Sequence, residues 1–318
     1  MRKVVVFNKD SSSYGYEIEA FKQFEDVEFI VSPAETEDEV IEAIRDAEVV
    51  LFTATNMNER VINSLEKCKL IIRYGIGYDN VDTVAAAKKG IFVCNAPNYG
   101  VLDVAEHALS LIFATAKRTI NMHERAKCGF WGPGMPPFLR LAGKKIGFVG
   151  FGNIGRALCR MTNGLSMKPL VFDPYVSDDV IKEYRADMVS LEELFAEADF
   201  ISLHLPLNES TRHSIGKELF SKMKSTAILI NTSRGPIINE KELIEALEDG
   251  VFAGVGLDVF EDERNPLDVR LTASPRAVLT PHVAWNTDIA VTAIHEEVGD
   301  NVVRYLKGER PHSIVNKL

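Results

Sequence analysis

The sequence predicts an α/β fold of two doubly wound parallel-sheet domains, and three observations predict it. Short β-branched apolar runs alternate with segments of helical period along the whole chain, the pattern of a parallel sheet covered by helices. A glycine-rich strand-to-helix turn stands near the middle, at Gly150. At 318 residues the chain is also long for one hydrophobic core and suits two.

The first domain is read from five runs: Val4–Phe7, Val27–Val31, Val49–Phe52, Leu70–Ile72 and Ile91–Cys94. Between them Thr36-Glu-Asp-Glu39 is a capping box that opens a helix expected to run through Asp46. After Asn95-Ala-Pro the pattern changes. Val101 to about Ala126 holds neither proline nor glycine and reads as one long helix, followed by a loop of helix breakers from Gly129 to Pro137. A second strand series follows at Ile146–Val149, Leu170–Phe172, Phe200–Leu203, Ala227–Ile230, Gly254–Leu257 and Val278–Thr280. Ser190 and Asn239, each with glutamate three residues on, start two more helices, and the last helix is expected over Asp288–Leu306.

Composition narrows the function. A net charge of −10 disfavours nucleic acid and anionic membrane as partners, because both reward basic patches. The four cysteines (Cys68, Cys94, Cys128, Cys159) are far apart and have no histidine cluster nearby, so neither a disulfide framework nor a metal site is expected. The N-terminal apolar run is too short for a signal peptide, and the Ala108–Ala116 stretch too short for a membrane span; a cytoplasmic protein is expected.

Gly150-Phe-Gly152-Asn153-Ile154-Gly155 follows a strand and opens a helix expected over Asn153–Leu165. In a dinucleotide site these glycines serve the tight turn, the approach of backbone to pyrophosphate, and helix–sheet packing. The helix N-terminus adds free N–H donors for phosphate. Asp173 stands at the end of the next strand, where a carboxylate accepts from the adenosine ribose and repels a 2′-phosphate. NAD is therefore the expected cofactor. Because this fold begins after about 140 residues, the first domain is expected to hold the substrate.

Hydride transfer to a carbonyl calls for an acid–base group and a cation for the substrate. Three islands at strand ends carry such residues: Asn231-Thr232-Ser-Arg234-Gly, Asp258-Val-Phe-Glu261-Asp-Glu263 and Pro281-His282-Val-Ala-Trp285. With the glycine loop, with Arg73-Tyr74-Gly75-Ile76-Gly77-Tyr-Asp-Asn80, with Val104-Ala-Glu-His107 and with His204-Leu-Pro206-Leu and Thr211, the chain resembles the D-isomer-specific 2-hydroxyacid dehydrogenases over nearly its whole length. The resemblance implies a flavodoxin-like substrate domain (1–98 with 288–318), a Rossmann NAD-binding domain (99–287) and a cleft between them. It implies Arg234 on the substrate carboxylate and carbonyl, His282 as proton donor and acceptor, and Glu263 as its acidic partner. It further implies backbone donors from Tyr74 to Gly77 for the substrate. Cofactor contacts are implied at Asn153, Ile154, His204, Pro206, Thr211, Thr232 and Asp258, and a homodimer through the long helix and the Trp131 loop.

Arg264-Asn stands where the family usually has proline after the catalytic glutamate, which opens a choice between Glu261 and Glu263; spacing favours Glu263. Each candidate also has a plain structural reading. A histidine at a strand end usually packs, but His282 shares its sheet edge with Arg234 and Glu263. His107 is read as helix packing, and Cys159 and Met161 as core. Trp285 is either packing or a substrate-pocket wall. The His-x-Ala-Trp form resembles the C-terminal-binding protein branch, which leaves an NAD(H)-sensing interaction protein as the alternative to an oxidoreductase of small 2-oxo and D-2-hydroxy acids.

Overall fold

The computed structural model describes residues 1–7, 14–132, 134 and 137–318; Pro133, Met135 and Pro136, in the breaker-rich loop, lie outside the described residues. The chain divides into two compact units, Met1–Gly100 with Asn286–Leu318, and Val101–Trp285. Each unit is built on one parallel sheet of its described residues.

In the first unit the strands are β1 (Arg2–Phe7), β2 (Val27–Val31), β3 (Val49–Phe52), β4 (Leu70–Arg73) and β5 (Phe92–Cys94), in the order β2-β1-β3-β4-β5. This is the flavodoxin-like order. Alternate residues face two cores: Val5, Val50 and Ile71 on one side, Val4, Val6, Leu70 and Ile72 on the other. Burial on both faces is why β1, β3 and β4 carry unbroken apolar runs, while β2 at the sheet edge is only partly buried and includes Glu28. The helix Glu37–Ile44 opens on the expected capping box, with Thr36 Oγ1 accepting from Glu39 N–H at 3.3 Å and Glu39 Oε2 accepting from Thr36 N–H at 3.0 Å. The C-terminal helix Asp288–Leu306, capped by Thr287, packs on the helix Gly15–Phe21 of the same unit.

The second unit contains β6 (Lys145–Val149), β7 (Lys168–Phe172), β8 (Asp187–Met188), β9 (Phe200–Leu203), β10 (Ile228–Asn231), β11 (Gly254–Leu257) and β12 (Ala277–Leu279). Their order, β12-β11-β10-β9-β6-β7-β8, reverses at β6, so the carboxyl ends of β6 and β9 border the crevice where doubly wound sheets bind ligands. Fully buried Phe148, Phe151 and Phe200 lie in the core on one face, each contributing roughly 1.5–3 kcal/mol.

Two expectations are corrected. β8, a two-residue edge strand, is too short to leave a periodic signal. The long helix is also interrupted: Val101–Lys117 and Thr119–Lys127 meet at Arg118, which is left-handed at φ +50°. The cause is tertiary. Leu139 N–H donates to Ala116 O and Lys117 Nζ to Leu139 O, so the returning loop takes a carbonyl that a continuous helix needs.

Candidate active site

The glycine loop is shaped for close approach. Gly150 has φ +90°, and a Cβ there would come within 2.7 Å of His204 O; one on Gly155 would meet Gly150 O at 2.8 Å. These two glycines are required by the protein's own packing. Gly152 is not: a Cβ there would meet nothing within 4 Å. It is exposed and begins the helix Asn153–Gly164 with no side-chain cap on the helix's first N–H donors. Asn153 is exposed beside it, while Ile154 turns partly into the core. Asp173, following β7, accepts from Phe151 N–H (2.7 Å) and Tyr175 N–H (2.8 Å), tying the loop to the strand end.

The remaining cofactor candidates lie on neighbouring strand ends. His204 bonds Ser202 Oγ at 2.9 Å and stacks on Phe148, and burial pushes its imidazole down to about 4, so it is neutral near pH 7. Thr211 donates to Pro206 O at 2.7 Å and folds that loop on itself. The Thr232 hydroxyl is buried with no partner among the described residues. An orphaned donor beside β10 and an open glycine before an uncapped helix both fit a bound dinucleotide.

The ends of β10, β11 and β12 assemble the acid–base residues. Asn231 Oδ1 accepts from Ser233 N–H and its Nδ2 donates to Arg234 O, fixing the turn that presents Arg234. Gly235 lies so close to the Phe260 backbone that any Cβ would collide with it, so the Arg234 turn abuts the Glu263 loop. His282 Nδ1 and Glu263 Oε2 are 2.7 Å apart. Burial works to raise the Glu263 carboxyl, but the hydrogen bond and charge of His282, the Phe260 N–H and the Arg234 charge outweigh it and hold it below the usual range. Glu261 instead faces His213 Nε2 at 2.9 Å and Arg212 at 3.7 Å.

His282 itself has φ +54°. Asp258 holds it there: its carbonyl accepts from His282 N–H, and its carboxylate accepts from Val283 N–H, Ala284 N–H and Thr280 Oγ. Asp258 is fully buried, and each of these contacts supports the His282 loop. His107, read from sequence as helix packing, reaches the same group: its Nε2 lies 2.9 Å from Thr280 Oγ1. No sequence signal pairs His107 with a residue 173 positions away. Trp285, next to Ala284, is half-buried.

In the first unit, the segment after β4 ties its carbonyls inward and leaves its amides free. Gly75 O accepts from Ala96 N–H and Ile76 O from Asn95 Nδ2, while Gly75, Ile76 and Gly77 N–H donate to nothing among the described residues. Tyr74 differs from expectation. Its N–H is taken by Phe52 O and its buried hydroxyl by Glu17, so it supports the loop instead of offering a donor.

Residues 109–284 match the family described as D-isomer specific 2-hydroxyacid dehydrogenase, NAD binding domain. The chain is 37% identical to a glyoxylate reductase of Korarchaeum cryptofilum (strain OPF8), over 87% of this chain and 85% of that one. Its fold is similar to a glyoxylate reductase from Paecilomyes thermophila, with TM-score 0.92 and 28% identity over 99% of this chain and 98% of that one. It is likewise similar to the D-lactate dehydrogenase of Aquifex aeolicus complexed with NAD and lactic acid, with TM-score 0.86 and 29% identity over 96% of both chains. These relatives are enzymes, which favours catalysis over the sensing alternative. The chain belongs to the D-isomer-specific 2-hydroxyacid dehydrogenase family and is an NAD-dependent oxidoreductase of 2-hydroxy acids.

Proposed function

We propose that the enzyme reduces a short 2-oxo acid of the glyoxylate class to the D-2-hydroxy acid, with His282 as the proton donor. The observation that carries this reading is the 2.7 Å His282–Glu263 pair at a strand end, beside the Arg234 turn. When bound, the nicotinamide exchanges a hydride with the substrate carbon. The protein's own part is electrostatic and acid–base. Protonated His282 donates to the developing alkoxide and, in the reverse direction, takes the proton back. Glu263 stays ionised, orients the ring through Nδ1 and stabilises its cationic form. Arg234 offers a planar fork to the substrate carboxylate and carbonyl. The free Ile76 and Gly77 amides are suited to a carboxylate as well.

Gly150, Gly152, Gly155, Asp173 and Thr232 are assigned to NAD, with Asn153, Ile154, His204, Pro206 and Thr211 around it. We assign the domains as the two compact units, the first for substrate and the second for NAD. The working form proposed is a cytoplasmic homodimer. Among the described residues no helix is long and apolar enough to cross a membrane. The test is NADH oxidation by the purified enzyme with glyoxylate, hydroxypyruvate, pyruvate and branched and aromatic 2-oxo acids. Turnover with a short oxoacid and a D-configured product is expected; an L product or no turnover with any of them overturns the reading.

A further inference from the structure

Glu17 is a carboxylate at 0% exposure that the reaction does not use. Its Oε1 accepts from the Tyr74 hydroxyl and faces His295 Nδ1, both at 2.7 Å. Its Oε2 is buried with no partner among the described residues. A buried polar group left half-paired is costly, and an apolar side chain would usually pack there as well or better. Three segments are joined at this point: the helix Gly15–Phe21, the helix Asp288–Leu306 and the loop leaving β4. Gly299, one turn beyond His295, lets the helices approach, since a Cβ there would lie 2.8 Å from Tyr16 Cδ1. The rings of Tyr14 and Tyr74 flank the imidazole at 5.8 and 5.4 Å.

We infer that Glu17 and His295 are positioning residues for substrate binding, acting through Tyr74 on the amides of Gly75, Ile76 and Gly77. The inference rests on the proposed assignment of that loop to the substrate carboxylate. Tyr74 is held at both ends, its N–H by Phe52 O and its hydroxyl by Glu17. The next residue, Gly75, has φ +138°, a conformation that side chains rarely adopt. Fixing Tyr74 therefore fixes where this turn begins and where the following amides point. Amides aimed before the ligand arrives avoid the ordering cost on binding. Because the grip on a carboxylate is alike in ground and transition states, its loss raises KM and spares kcat.

Steady-state reduction of glyoxylate by Tyr74→Phe, Glu17→Gln and Glu17→Ala tests this, alongside NADH affinity and Tm. Tyr74→Phe keeps the ring and removes one buried hydrogen bond, so KM for glyoxylate should rise about tenfold while kcat and NADH affinity stay near parent values. Glu17→Gln retains an oxygen able to accept both bonds and should restore a near-parent KM, whereas Glu17→Ala should resemble Tyr74→Phe. If Glu17→Ala does not fold, Tyr74→Phe decides the matter. A lowered Tm with unchanged glyoxylate KM makes the cluster merely structural and overturns the inference alone. Absence of oxoacid reduction by the parent enzyme overturns the functional reading, and this inference with it.

Discussion

His282 sits in the left-handed region, where a non-glycine residue costs about 1–3 kcal/mol and persists only when its surroundings over-determine it. Asp258 supplies that over-determination through its carbonyl and carboxylate. The ring is thereby aimed at Glu263 and away from Glu261, which is occupied by His213. A pH test follows. Reduction needs protonated His282, so kcat/KM for reduction should fall on the alkaline side. Removing the adjacent negative charge in Glu263→Gln takes away the ring's ion-pair partner and should move that limb to lower pH. Glu261→Gln should leave the limb nearly in place. Movement for Glu261 alone assigns the pair to the wrong glutamate. Arg234→Lys tests the neighbouring turn. Charge is retained but the fork is lost, so kcat/KM should drop by about a hundredfold or more with NADH affinity preserved. Turnover near the parent rate would place the carboxylate elsewhere.

At the scale of elements, the strand–glycine–helix unit separates glycines that packing requires from one that it does not. Gly150→Ala places a side chain at φ +90° against a backbone carbonyl and should cost about 1–3 kcal/mol or more, read as a lowered Tm. Gly152→Ala meets open space and an ordinary backbone, so Tm should hold while NADH affinity falls at least about tenfold. A Gly152→Ala protein that binds NADH normally would show that the pyrophosphate does not pass there. Asp173, bound to the same loop through Phe151, should exclude the 2′-phosphate. Parallel fluorescence titrations should show NADH binding far more tightly than NADPH, with the difference shrinking in Asp173→Ala. Equal affinities in the parent would remove Asp173 from that role.

For the whole molecule, the stretch after Val101 carries exposed Phe113, Ile120, Phe130 and Trp131, the last 90% exposed. These are the residues that the proposed dimer would cover. Light scattering should give twice the mass of one chain for the parent and one chain's mass for Ile120→Asp/Phe130→Asp; a monomeric parent defeats the dimer assignment. What could be read from sequence shares one property: it is local. Strand runs of 3–5 residues, the Thr36 capping box and the Gly150 loop arise from contacts within a few positions, so spacing alone reveals them. His282 was recognisable as a candidate because its motif sits at a strand end. Its partner was not settled by composition, since Glu261 and Glu263 are the same chemistry two residues apart. The pairs His213–Glu261, 48 positions apart, and His295–Glu17, 278 apart, exist because sheet order and helix packing bring these side chains within 3 Å. The break at Arg118 has the same origin, in a carbonyl captured by Leu139. A hydrogen bond is decided within about an ångström, and distances that fine across a chain are set by packing.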